Sequence, residues 1–288
     1  MRVAVRRIKC ADCGASCHEP ISFCPKPFVK YTKKVAHFVR YLRSKMSIKD
    51  TAEVVGLHWE TVKNIEKDWL ARKYKHVSLK DVRYLSIDEV YLGKKFGYLT
   101  VVRDLISGSV LYVGKGKGGD ALKKFRRRLK RRAGQIRAVS MDMSNAYAAW
   151  VREALPDADL IFDHFHLVKL MNDKLNNLRR GTMAKLGEEQ KKELKGKRFL
   201  LIRNQESLDA DALGQLETLK EEFEDLGTAW MLKEALRNIY SMTHDSSTAR
   251  LAFELWCGKA VASGVACLKT MAKTIRGHIE GILGYWRH

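Results

Sequence analysis

The sequence predicts an α/β fold: a mixed β-sheet with helices on both faces, interrupted by an all-helical insertion and preceded by a cysteine-rich segment and a helix-turn-helix. Three observations predict it. Four of the six cysteines fall between Cys10 and Cys24. Apolar residues then recur at helical spacing up to about residue 80, and from residue 81 the pattern changes to strands alternating with helices. Beyond residue 181 it is helical again, apart from a short strand-like run, Phe199–Ile202. The boundaries read from these shifts are 1–30, 31–80, 81–180 and 181–288.

The cysteine cluster reads Cys10-x2-Cys13-x3-Cys17-x6-Cys24, with His18 among the thiols. In a reducing compartment such spacing points to metal binding before disulfides. Zinc takes four thiolate or imidazole ligands, which Cys10, Cys13, Cys17 and Cys24 would supply, with His18 able to replace Cys17. A half-site, or a set of solvated thiols, is the alternative. Cys257 and Cys267 sit in an apolar helical stretch and read as buried thiols. Pro20, Pro25 and Pro27 mark a linker after the cluster.

Helical spacing begins at Lys33, where Val35, Phe38, Val39 and Leu42 are predicted to face inward. Ser47 is placed to cap a second helix carrying Ile48, Ala52 and Val55. Gly56-Leu57 supplies a tight turn, and a third helix is predicted from His58 to about Tyr74, with Val62, Ile65 and Trp69 inward. This is the spacing of a helix-turn-helix. Its third helix would enter the major groove through His58, Trp59, Thr61, Lys63, Asn64 and Lys67. Asn64 has the geometry to read adenine, and Lys63 and Lys67 to hold phosphate or guanine. The plainer reading is a three-helix packing unit with a solvated face.

Strands are predicted at Tyr84–Val90, Tyr98–Val102 and Val110–Val113, forming an antiparallel meander with Gly93 and Gly108 in its turns. A basic helix follows from Ala121 to about Arg132. Then come a strand at Ile136–Ser140, a helix at Asn145–Leu155, a strand at Asp159–Phe162 and a helix at Phe165–Arg180. The order β-β-β-α-β-α-β-α is that of an RNase H-like sheet, in which the first and fourth strands are parallel neighbours. Asp88 would then lie beside Asp142. A carboxylate inside an apolar strand is costly alone. Two on adjacent strands fit a site for Mg2+ or Mn2+ that cleaves phosphodiesters. Taken singly, Asp142 reads as a helix cap and Asp88 as a solvent-facing strand charge. The run Gly114-Lys115-Gly116-Lys117-Gly118-Gly119 matches a dinucleotide fingerprint in spacing only, since no parallel βαβ unit precedes it. It reads as a flexible basic loop touching DNA backbone.

Charge narrows the function. The chain of 288 residues carries 54 Lys and Arg against 33 Asp and Glu, a net +21. Residues 1–180 hold nearly all of the excess, and residues 181–288 are close to neutral with 16 basic and 15 acidic side chains. A polyanion is implied, and double-stranded DNA is the expected partner. No apolar run approaches the ~18 residues of a membrane span, and the Met1–Arg7 start lacks the apolar stretch of a signal peptide. A cytoplasmic, nucleoid-associated protein is expected.

Several motifs resemble a known family. Leu85-Ser86-Ile87-Asp88-Glu89, Val139-Ser140-Met141-Asp142-Met143-Ser144 and Asp163-His164-Phe165-His166-Leu167-Val168-Lys169 occur in the order found in ISL3 (ISL-three) insertion-sequence transposases, of the DDE group of RNase H-like recombinases. Cys10-Ala11-Asp12-Cys13-Gly14, the helix-turn-helix, and Ala272–Arg276 to Ile282-Leu283 also match. The resemblance implies cleavage and strand transfer at element ends, by water and then a 3′-hydroxyl, with Mg2+ held by three carboxylates. Its partners would be the terminal inverted repeats and further copies of the chain. Asp88 and Asp142 match the first two carboxylates. The third, a Glu, lies in such proteins just beyond the segment that is Tyr285-Trp286-Arg287-His288 here, so this chain is expected to be truncated and to lack it. Family members also carry a cysteine pair upstream of Cys10, which makes Cys10 and Cys13 half of a zinc site. Neither Glu89 nor Glu280 reads as a substitute. Asp163 and His166 resemble a pair near the active site of Mutator-like transposases, and alternatively read as a cap and a packed histidine. The alternative function is a catalytically inactive DNA-binding protein derived from a transposase.

Overall fold

The computed structural model describes residues 5–19, 21–25, 29–75 and 77–288. The chain divides into two compact units, meeting at Val77 and Ser78. Met1–Ala4, Pro20 and Pro27, which entered the reading of the start and the linker, lie outside the described residues.

The first unit opens with a small antiparallel hairpin of β1 (Arg7–Lys9) and β2 (Ser16–His18), which sets Ile8 opposite Cys17. Three helices follow: α1 (Lys33–Arg43), α2 (Ile48–Val55) and α3 (Trp59–Lys73). The Thr32 hydroxyl caps α1 by accepting from the Val35 N–H. Ser47 caps α2 in the same way through Asp50, as its position predicted. Gly56 ends α2 at φ 63°, a left-handed conformation that costs glycine little. Val39, Ala52, Val62 and Ile65 form the core, with Val35, Ile48 and Val55 packed around them.

Two inward assignments and one helix boundary are corrected. Phe38 is 48% exposed, because the apolar stripe of α1 is wider than the surface its neighbours cover. Trp69 is half-buried and lies under Arg40 and Lys73 as a cation–π partner. His58 is the cap of α3 and not its first helical residue; its ring nitrogen accepts from the Glu60 N–H.

The second unit is built on a five-stranded mixed sheet of β3 (Tyr84–Tyr91), β4 (Tyr98–Asp104), β5 (Val110–Lys115), β6 (Ala138–Met141) and β7 (Asp159–Phe162), in the order β5-β4-β3-β6-β7. β3, β4 and β5 form the antiparallel meander, and β6 and β7 add in parallel. The register pairs Ile87 with Met141 and Met141 with Phe162. A short 3-10 turn leads into α4 (Lys123–Leu129), which is shorter than the sequence suggests. α5 (Asn145–Ala154) follows β6 and α6 (His164–Lys185) follows β7. Stacking of Tyr112, Phe125 and Trp150 joins β5, α4 and α5.

The rest is helical: α7 (Glu188–Leu194), α8 (Arg198–Ile202), α9 (Ala210–Glu222), α10 (Glu224–Met242), α11 (Ser246–Ala262) and α12 (Ala266–Leu283). The strand-like run Phe199–Ile202 is therefore a helix. Leu200 and Leu201 are both buried while Phe199 is 61% exposed, which breaks strand alternation. Buried Lys233 on α10 fixes this helix by donating from Nζ to the Leu201 and Arg203 carbonyls at 3.0 and 2.6 Å. α12 returns to the sheet edge, where Gly281 lies against Leu160 and Phe162 and Gly284 against Ile161.

Candidate active site

Asp88 and Asp142 each follow one member of the Ile87–Met141 pair on adjacent parallel strands. Strands so paired run about 4.8 Å apart and turn corresponding side chains to one face. Leu85 and Ile87 are buried, and Ser86 and Asp88 alternate with them on the less buried face. Both carboxylates are about half exposed, at 45% and 53%. Asp163 follows Phe162, the partner of Met141, so Asp88 within β3 is joined in this region by an aspartate just past the end of each of the next two strands.

Each carboxylate has one cationic or imidazole neighbour. Arg103 on β4 pairs in register with Ser86, and its Nη2 lies 3.8 Å from Oδ2 of Asp88. At this exposure the pair orients the carboxylate more than it stabilises the fold. Oδ1 of Asp88 accepts from the Glu89 N–H at 2.7 Å. Oδ1 of Asp142 accepts from the Met143 N–H at 2.6 Å and faces Nδ1 of His166 at 3.4 Å. Asp163 caps α6 by accepting from the Phe165 N–H at 2.9 Å, which sets His166 in the first turn and turns it toward Asp142. The motif thus acts through both of its members, one as a cap and one as a neighbour of the carboxylate. Beside it, His164, Tyr240 and Tyr285 pack ring against ring. Burial first, and then the Asp163 charge, holds the Tyr240 phenol well above its ordinary value.

Glu89 points away from this group and bonds the Tyr147 hydroxyl at 2.8 Å. Glu280 is exposed and paired with Arg250 and Arg287. Arg103 and Tyr147 escaped the sequence reading. Counting the β3–β4 register back from the hairpin turn would have placed Arg103 diagonal to Asp88.

In the first unit, His58, Trp59, Lys63, Asn64 and Lys67 are exposed along α3, and Thr61 is partly buried. The Lys63 ammonium lies 5.7 Å from the Trp59 ring centre. Cys10 and Cys13 come together at the hairpin tip. The backbone N–H groups of Cys13 and Asp12, and then the Cys13 side chain, hold the Cys10 thiol below its ordinary value. Cys17 is exposed on β2 and Cys24 is partly buried in the following turn. Among the described residues, no group of three or more His, Cys, Asp or Glu side chains is arranged to hold a metal ion.

The family model described as the transposase of ISL3 DDE type matches residues 85–288, from β3 to the end of the chain. The chain belongs to the ISL3 transposase family. The matched region contains Asp88, Asp142, Asp163 and His166. The transposase for insertion sequence element IS1001 of Bordetella parapertussis is 29% identical over 100% of this chain and 71% of its own length. The transposase for IS1557 of Mycobacterium tuberculosis (strain H37Rv) is 27% identical over 78% of this chain and 56% of its own length. Similarity to the Bordetella transposase thus extends through the cysteine hairpin and the three-helix unit. No helix among the described residues is long and apolar enough to cross a membrane.

Proposed function

We propose that this ISL3-family chain is a DNA transposase acting at the ends of its insertion sequence, with Asp88 and Asp142 as carboxylates of a two-metal phosphodiester site on an RNase H-like core. The observation that carries this reading is the neighbouring position of the two aspartates on parallel strands, within the region the family shares. The donor set suits Mg2+ or Mn2+: hard carboxylate oxygens, half exposed, with Arg103 and His166 as their counter-groups among the described residues. When bound, the ions supply activation of the attacking oxygen and stabilisation of the leaving one. The chain's own residues do the rest. Arg103 and His166 orient the carboxylates. The basic loop after β5 and the cations of α4 hold the DNA backbone. The helix-turn-helix reads the duplex through His58, Trp59, Thr61, Lys63, Asn64 and Lys67. Cys10 and Cys13 are suited to supply two thiolates of a zinc site that steadies the hairpin. The near-neutral helical segment is suited to contact with a second copy of the chain.

A second reading, binding without cleavage, is favoured by one observation: among the described residues no third ligand group joins Asp88 and Asp142. The experiment separating the two incubates the chain with its element-end DNA and Mg2+ and looks for nicked and joined strands. Nicking that disappears in Asp142→Asn supports the transposase reading. Tight, salt-sensitive binding without nicks selects the second.

A further inference from the structure

The loop that leaves β5 is pinned at two points: the Gly116 N–H donates to the Tyr98 carbonyl at 2.8 Å, and one phenol holds the part that follows. Tyr147, buried in the first turn of α5, bonds three other elements through one oxygen. It donates to Oε1 of Glu89 at 2.8 Å and accepts from the Gly118 N–H at 3.0 Å. It also meets the Thr100 hydroxyl at 2.8 Å, and that hydroxyl lies 2.9 Å from the Gly116 carbonyl. The glycine-rich run expected to be flexible is therefore tied to β3 and β4. Gly118 adds to the restraint: its φ of 80° sets a left-handed path that other residues rarely follow.

Position gives the pin its meaning. Glu89 follows Asp88 on β3, opposite Thr100 on β4, which is opposite Gly114 on β5. Two antiparallel steps make β5 run in the same direction as β3. The loop therefore leaves the sheet at the end where Asp88 and Asp142 lie, two strands or about 10 Å from β3. Exposed Lys115 ends β5 and exposed Lys117 lies in the loop, where its ammonium rests 4.5 Å from the Tyr98 ring centre.

We propose that Tyr147 is a positioning residue whose hydroxyl fixes Lys115 and Lys117 as a rail for the phosphate backbone of the DNA entering the Asp88–Asp142 site. The inference rests on the DNA reading above. A loose glycine-rich loop would have to be ordered each time DNA binds, and pinning it in advance removes that entropic cost from the binding step.

The test is a mutant cycle on the full chain, reading the affinity for a random-sequence DNA duplex across a salt series. Lys115→Gln with Lys117→Gln should lower the slope of log K against log salt by about 1.8, roughly 0.9 for each phosphate that is no longer neutralised. Tyr147→Phe should weaken binding roughly fivefold at fixed salt when both lysines are present, and leave it unchanged when both are Gln. Gly118→Ala, which disturbs the loop path without touching the buried ring, should behave like Tyr147→Phe. A Tyr147 role confined to stability would weaken both backgrounds alike, and that result overturns the proposal. So does an unchanged salt slope in the lysine pair, or full affinity in Tyr147→Phe. Failure of the cleavage reading would show as absence of nicks, and would leave this binding cycle intact.

Discussion

Replacing Gly281 by alanine tests how α12 is seated on the sheet beside Asp163. A Cβ built at Gly281 would come within 2.5 and 2.6 Å of two ring carbons of Phe162 and 3.0 Å of a Leu160 methyl. Carbon atoms settle at about 3.5–4.0 Å, so the ring or the helix has to move by about 1 Å. Phe162 is 4% exposed and packs edge-on against His278, which leaves the ring little room to swing away. Overpacking of this kind costs about 1–3 kcal/mol, and the better helix propensity of alanine returns up to about 1 kcal/mol. Gly277 on the same helix is the control, because a Cβ there meets nothing within 4 Å. Both variants change helix propensity alike, so the difference between them isolates the steric cost. We expect Gly277→Ala to be at least as stable as the parent and Gly281→Ala to lie about 1–3 kcal/mol below Gly277→Ala. Urea unfolding followed by tryptophan fluorescence, with slopes compared to confirm the same transition, measures this. Equal midpoints for the two variants would refute the close approach of α12 to β7.

Two further outcomes follow from titrating groups. Asp245 caps α11 by accepting from the Ser247 and Thr248 N–H groups and the Thr248 hydroxyl, and these bonds, the hydroxyl first, hold its carboxyl below the usual range. A carboxylate lowered in the folded state stabilises above its unfolded value and loses that contribution as pH falls through the folded one. Asp245→Ala should therefore be less stable than the parent near neutral pH, and urea midpoints should converge in acid below the ordinary carboxylate range; a gap independent of pH would count against the cap. Thiol labelling should be equally position-dependent. Burial pushes Cys257 up to about 11, whereas Cys10 is lowered and exposed, so maleimide near neutral pH should modify Cys10 first and spare Cys257 until the chain unfolds. Mass mapping of labelled peptides that found Cys257 modified as fast as Cys10 would contradict this.

The mixed sheet and the neighbouring of Asp88 and Asp142 were legible in the sequence, for local reasons. Alternation in Leu85 and Ile87 marks the strand, turn glycines separate the meander, and a helix between β3's sheet and β6 makes β6 a parallel neighbour. Ser47, Gly56 and Asp163 announce helix ends because caps are chosen by residues one turn away. What stayed hidden depends on partners distant in sequence. α8 looked like a strand because its C-terminal carbonyls are satisfied by Lys233, far along the chain. Tyr147 is one of two aromatics on α5, and nothing local shows that its hydroxyl will meet Glu89, Thr100 and Gly118. Phe38 fits the stripe of α1, but a stripe tells which side is apolar and not how much of it a neighbour covers.

The uneven charge of the chain acquires a structural reason in the helical part. There Arg237 is held by Glu206 and Glu234, Glu280 by Arg250 and Arg287, and Arg276 by Glu254. Cations of this segment are matched by carboxylates of the same segment, so near-neutrality there is built from internal pairs and leaves little field for a polyanion. In α4 and the loop before it the balance is different. Asp120 engages Lys123 and Glu153 engages Arg126, while Lys115, Lys117, Lys124 and Arg127 also face solvent in the same stretch. Surface pairs of this kind are weak and exchange readily for phosphate oxygens. The excess of cations in the second unit thus lies outside the helical segment, with part of it in α4 and the loop before it.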